Sequence, residues 1–168
     1  MKKYEFTGET KKYRGTTLHR IRAIRDFGNV KKGDLGGFIE SEDNLSHDGT
    51  AWVYSGARIY DNACIYGNAR IYGRVRIYDN VQVYGTARIY DDVRIYDNAR
   101  VYGNAIICGN AKVYNNAEIC DNMKVYGKAR IFDNVQVFDN AKVCSNAIIC
   151  DNAEICGNRM FCSNEKAD

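Results

Sequence analysis

Chemistry in this 168-residue chain would have to come from two histidines, seven cysteines or a regular row of aspartates. A general base must lie within hydrogen-bond reach of the proton it removes. His19, in "TLHRIRAIRDF", reads as part of a strand in an N-terminal cap, and so as a cap or surface residue. His47, in "LSHDGT", falls at the third place of a six-residue unit, in a column that faces inward, and is expected to be a buried, hydrogen-bonded structural histidine. The cysteines are odd in number and never form CxxC, which favours a reducing compartment over a disulfide framework.

All of these residues are positioned by one repeat. From Ala51 through Asn164 the chain steps in sixes nineteen times without insertion or deletion, and two looser units, "IESEDN" and "LSHDGT", carry the register back to Ile39. Fixed-period self-similarity marks a solenoid, in which stacked neighbours create the core that no unit can bury alone. The first four places alternate small, variable, aliphatic and aromatic, as in a short strand. Place three is Ile or Val in every unit from Val53 to Ile155 and place one is mostly Ala, so these two columns should line a narrow, dry interior. Asn at place six tolerates a left-handed backbone and is expected to turn each corner. The exceptions recur with every third unit: Asp61, Asp79, Asp97, Asp133 and Asp151, with Asn115, form one column at place five, while Arg74, Asp92 and Lys128 interrupt the asparagines at one corner. Three units per coil follow, hence a triangular prism of about seven coils over residues 39–164, a small β cap over 1–38 and a tail at 165–168. Strand spacing sets a rise of ~4.8 Å per coil.

A core this thin excludes phenol rings, so the aromatics of place four must form three outer ladders. The second of them runs Tyr60, Tyr78, Tyr96, Tyr114 and Phe132, beside a row at place two of Arg58, Arg76, Arg94, Lys112 and Arg130. These rows are the candidate binding surface, and the aspartate column at the adjoining corner is expected to offset the cations as a salt-bridged edge rather than to bind calcium. Six of the seven cysteines replace the aromatic of place four. Spread over three faces, they cannot supply the roughly four convergent ligands of a zinc site. Cys144 and Cys162 lie one coil apart, within disulfide distance but with side chains pointing in parallel, so unpaired surface or interface thiols are expected. In the last coil, "AEICGNRMFCSNEKAD", Arg159 enters an inward column, and Met160 and Phe161 are expected to fold over the open end.

"IYDNARVYGNAIICGN" resembles the hexapeptide repeat of left-handed parallel β-helix proteins, which implies the handedness. "AIRDFGNVKKGDLGGFIESEDNLSHDGTAWVY" resembles the region that leads into the helix of bacterial YdcK-type proteins, and the tyrosine-rich repeats resemble those of phage and prophage genes. The resemblance implies an all-β, single-stranded left-handed parallel β-helix. It also implies a rival activity, CoA-dependent acyl transfer in a trimer, with acetyl-CoA as the cofactor and His47 as the base. The repeats of this chain admit no projecting loop of the kind such enzymes carry.

Composition narrows the rest. A net charge of +3 is too small to announce a nucleic-acid partner, although aromatic and basic rows could take a stacked nucleotide. No apolar run approaches the ~18 residues of a membrane helix, and the absence of proline suits long hydrogen-bonded stacks. The expectation is a cytoplasmic, non-catalytic scaffold without cofactor or metal, acting through a protein partner or through self-association as a trimer or an end-to-end dimer. If the chain is phage-encoded, its site of action is the host cytoplasm. The cluster Arg20, Arg22, Arg25, Lys31 and Lys32 is expected to be a solvated face of the cap.

Overall fold

A computed structural model describes residues 1–162, 166 and 167. It is all-β, with a single short 3-10 turn at Glu42–Asn44 and no α-helix among the described residues. Strands β1 (Tyr4–Tyr13), β2 (Thr16–Ala23) and β3 (Leu35–Ile39) form an antiparallel cap, and β3 pairs in parallel with Arg58–Ile59, the first coil strand of that sheet.

Beyond the cap, each unit contributes a strand at its second and third places, such as Arg76–Ile77, and the strands stack into three parallel sheets of a solenoid with about seven coils. The faces are named here by their first coil tyrosine: Tyr54, Tyr60 and Tyr66. In-register partners are three units apart, as in Arg58, Arg76, Arg94, Lys112 and Arg130 on the Tyr60 face. Amides at places two, four and six donate to carbonyls of the next coil, for example Arg76 N–H to Val93 at 3.0 Å, Tyr78 to Ile95 at 3.2 Å and Asn80 to Asp97 at 2.8 Å. Places one and three are buried along the rod, from Ala57 and Ile59 to Ala147 and Ile149, each with no exposed surface. Small-then-branched columns permit this, because Ala lets the three walls approach and Ile or Val fills what remains.

Several expectations are corrected. The left-handed residue is at place five, not six: every place-five residue from Asp61 to Gly157 has positive φ, between 55° and 77°. Asn at place six instead forms side-chain ladders across coils, Asn62 to Asn80 at 3.0 Å and onward through Asn98, Asn116, Asn134 and Asn152. The two leading units are out of register, since Ile39 pairs with Ile59 and Leu45 with Ile65, a longer step than the three units that separate partners elsewhere. Ser46 still bonds as a place-four residue and Thr50 as a place-six residue, so His47 and Asp48 are inserted between them and His47 leaves the inward column.

Arg159 is exposed rather than inward. Met160 is 58 % exposed, whereas Phe161 packs on the core as expected. Cys144 and Cys162 are paired, with Cα atoms 4.7 Å apart, which corrects the reading of uniformly free thiols. Lys166–Ala167, expected in a tail, continues the ladder on Ile148–Ile149. The end of the last unit at Asn164 and tail residues 165 and 168 lie outside the described residues.

Candidate functional site

The Tyr60 face brings the expected rows together. Ring centroids of Tyr60, Tyr78, Tyr96, Tyr114 and Phe132 are spaced 4.8–5.2 Å with planes within 6° of parallel. Strand spacing dictates this stack, and each pair adds about 0.5–1.5 kcal/mol beyond its burial. Stacking also consumes the ring faces. A base held between two rings would need about 7 Å, two base-stacking distances, so the row offers edges and hydroxyls instead.

The first two rungs are already occupied. At the tip of the β1–β2 hairpin, Arg14 and Gly15 take positive φ, the backbone of a tight turn, and turn Tyr13 and Arg14 onto the face. Tyr13 packs edge-on against Tyr60 with centroids 5.7 Å apart and rings inclined at 64°. Arg58 lies over the Tyr13 ring at 4.7 Å, Arg76 Nη1 donates to the Tyr13 hydroxyl at 3.0 Å, and Arg14 stands 6.0 Å from the Tyr78 centroid. Burial pushes the Tyr13 phenol up, but the bond from Arg76 and the charges of Arg76, Arg14 and Arg58 outweigh it and hold the group below the ordinary phenol value. The ladder tyrosines go the other way: burial, helped by Tyr114 and Tyr78, pushes Tyr96 up to about 12.

Below the hairpin tip, Arg94, Lys112 and Arg130 carry no ion pair among the described residues, and Arg94 and Arg130 are exposed. A shallow groove of about 300 Å³ runs beside them, lined by Arg74, Arg76, Asp92, Arg94, Asn110 and Lys112. Its one carboxylate, Asp92, is held by Arg74 at 2.8 Å. Among the described residues Asp61, Asp79, Asp97 and Asp133 of the aspartate column make no ion pair, so the expected salt-bridged corner is not formed there. Its carboxylates accept backbone amides one coil on, Asp97 N–H to Asp79 at 3.1 Å, Asn115 to Asp97 at 3.0 Å and Asp151 to Asp133 at 3.2 Å. Left-handed turns leave those amides without a ladder partner, and a carboxylate one coil away is the nearest acceptor.

His47 is half-buried in the cap. Its Nδ1 accepts from Lys3 N–H at 3.2 Å, its Nε2 faces Glu42 Oε2 at 3.4 Å, and its ring stacks on Tyr4 at 4.3 Å. Both nitrogens are engaged in holding the inserted residues against the cap, and no substrate-sized cleft adjoins them among the described pockets. His19 stacks on Phe6 at 4.9 Å within the cap sheet. Of the basic cap residues, Arg20, Arg22 and Lys31 are ion-paired with Glu9, Glu5 and Asp26, and Arg25 bonds the Met1 carbonyl at 3.5 Å. Asp133, Cys150 and Asp151 bring three potential metal-ligand atoms within 4.8 Å of one another, but Asp133 already serves Asn115 and the Asp151 amide.

Sequence reasoning missed the hairpin tip. The Arg-Gly pair in "KKYRGTT" signals the turn, but nothing local says where a turn will land 63 residues away. No helix of the described chain is long and apolar enough to cross a membrane. Residues 69–85 and 93–109 match the family model described as YdcK Beta solenoid repeat. No curated protein matches the chain. Repeat and fold together make this chain similar to the YdcK-type β-helix proteins.

Proposed function

We propose that this chain is a non-catalytic β-solenoid scaffold that binds protein through its ordered outer rows, in a partner or in another copy of itself. One observation carries the reading: the Tyr60 face already holds a peptide segment, its own Tyr13–Arg14 tip, by an edge-on ring contact and a guanidinium-to-phenol hydrogen bond. The same side chains recur at each coil below, on a backbone whose every rung is fixed by the next. Aromatic and arginine side chains contribute strongly to protein contacts, and the rings of this face are already held by their stack, so ordering them on docking costs little. A virion component or a host factor would be the partner if the gene lies in a phage.

Sedimentation velocity over a range of concentrations tests self-association, and capture on the immobilised chain tests a partner. Tyr96→Ser and Tyr114→Ser should weaken whichever complex forms. A monomer at every concentration that captures nothing would sink the reading. Acetyl-CoA raising the melting temperature, with acyl transfer lost in His47→Ala, would replace it with the enzymatic one.

A further inference from the structure

The covered and uncovered rungs of the Tyr60 face differ in what completes them. At the top, the Tyr13 hydroxyl accepts from Arg76 while Arg58 covers its ring. Lower down, Arg94, Lys112 and Arg130 repeat the cations and Tyr96, Tyr114 and Phe132 repeat the rings, with nothing from the described chain laid across them. The adjoining groove gathers Arg74, Arg76, Arg94 and Lys112 around one carboxylate that Arg74 already neutralises. Because the aspartates of the far corner are turned to backbone amides, they do not cross the face to quench the row. The electrostatic complement of such a row is acidic, and the chemistry of its covered rungs accepts a phenol edge.

Resting on the protein-binding reading above, we infer that the uncovered rungs from Arg94 to Arg130 dock an acidic, tyrosine-bearing peptide segment of a partner protein. The carboxylates of that segment lie in the groove against Arg94 and Lys112, and its tyrosine packs edge-on against Tyr96 or Tyr114 as Tyr13 does against Tyr60. Charge brings the segment to the face and the phenol fixes its register. Nucleobases are the poorer fit, since the stacked rings are closed to insertion at 4.8 Å.

The probe is a fluorescein-labelled nine-residue peptide of alternating Asp, Tyr and Glu, followed by anisotropy on the full chain at low and high ionic strength. Saturable, salt-sensitive binding is expected, and Arg94→Glu with Lys112→Glu should weaken it at least about tenfold, the scale of one good charge contact. Replacing the peptide tyrosines by serine should weaken it several-fold. Tyr13→Ser with Arg14→Ser, which frees two more rungs, should tighten it. Arg94→Gln with Lys112→Gln, which adds no repulsion, should weaken it less than the double reversal, and circular dichroism and melting confirm that each variant is folded. Equal binding of a lysine-for-acid peptide, indifference to the charge reversal, or displacement of the peptide by a lower concentration of oligothymidylate would each overturn the inference. If the acidic peptide fails while complexes sensitive to Tyr96→Ser persist, the acidic chemistry is wrong and protein binding stands.

Discussion

The cap and the coils share one of the three sheets but are stabilised by different means. The cap closes the first coil with large, individually placed side chains: Trp52, 1 % exposed, meets Phe27 at 5.4 Å and Tyr4 at 6.2 Å, and the Tyr4 hydroxyl donates to the Leu45 carbonyl at 2.8 Å. Four of the five ion pairs that Lys and Arg make among the described residues are here. The coils rely instead on repeated columns, Ala, Ile and Val inside and stacked tyrosines outside, with Asn ladders, aspartates that accept backbone amides and, among the described residues, one ion pair between Arg74 and Asp92. A repeat needs only that each column match itself, whereas an end has to be fitted residue by residue.

The largest effect should come from Trp52→Ala, which removes about 3–5 kcal/mol by opening a cavity under the cap. Denaturant unfolding followed by tyrosine fluorescence of the ladders measures it, and a cap that melts apart from the coils would appear as a separate early transition. In mid-rod, Ile95→Ala should cost about 2–5 kcal/mol and lower a single cooperative transition. Equal, single-transition losses at both sites would erase the distinction between the two regions.

Next in size is Asp97, with φ of 60° and a carboxylate that accepts the Asn115 amide. Asp97→Asn keeps both the acceptor and a side chain suited to that backbone, so it should change stability by under about 0.5 kcal/mol, while Asp97→Ala should lose about 1–3 kcal/mol through the orphaned amide and the strained φ. A loss in Asn as large as that in Ala would mean that charge, not the acceptor, matters at this corner.

A pH-dependent effect is in the cap, where burial, then the Arg25 charge, lowers buried Lys3 to about 8 from 10.5 although Asp48 opposes them. Its Nζ keeps the Asp48 and Gly49 carbonyls within 3.4 Å, which moderates the penalty. The unfolded chain binds this proton more tightly, so stability should rise as pH climbs above about 8. The rise ends near pH 10, where unfolded tyrosines ionise while buried Tyr4, pushed up by burial and by Glu42, stays neutral. Lys3→Met should flatten the rise in a melting-temperature series across that window.

The rod was legible because its columns are nearly invariant: Ile or Val at place three, and exceptions such as Arg74 and Asp92 that return at the same corner one coil later. Asp and Asn both tolerate a left-handed backbone, so residue type at places five and six does not by itself tell which of them turns the corner. The mixture of Gly and Asp at place five, as in Gly67, Gly73, Asp79 and Gly85, is the stronger sign of positive φ. His47 was drawn into the inward column because the loose units before Ala51 absorb the inserted His47 and Asp48 without visible mismatch. At the Tyr60 face the rows were readable from spacing alone. Their partial occupation by Tyr13 was not, because it depends on where the long strand β1 projects rather than on any local pattern.

The constant span between each donor and its acceptor has a kinetic and evolutionary meaning. Arg76 reaches Val93 and Arg94 reaches Ala111 across the same stretch of chain, so every coil past the first, longer one closes a loop of one length and builds on the coil before it. Folding of such an array can nucleate at any coil and propagate to its neighbours like a zipper. Excision of one coil's worth of chain, positions 87–104 for example, joins chemically equivalent columns and leaves every remaining interface intact. The length of the molecule is therefore a count of coils that duplication or loss can change in whole steps, without a new packing problem at each step.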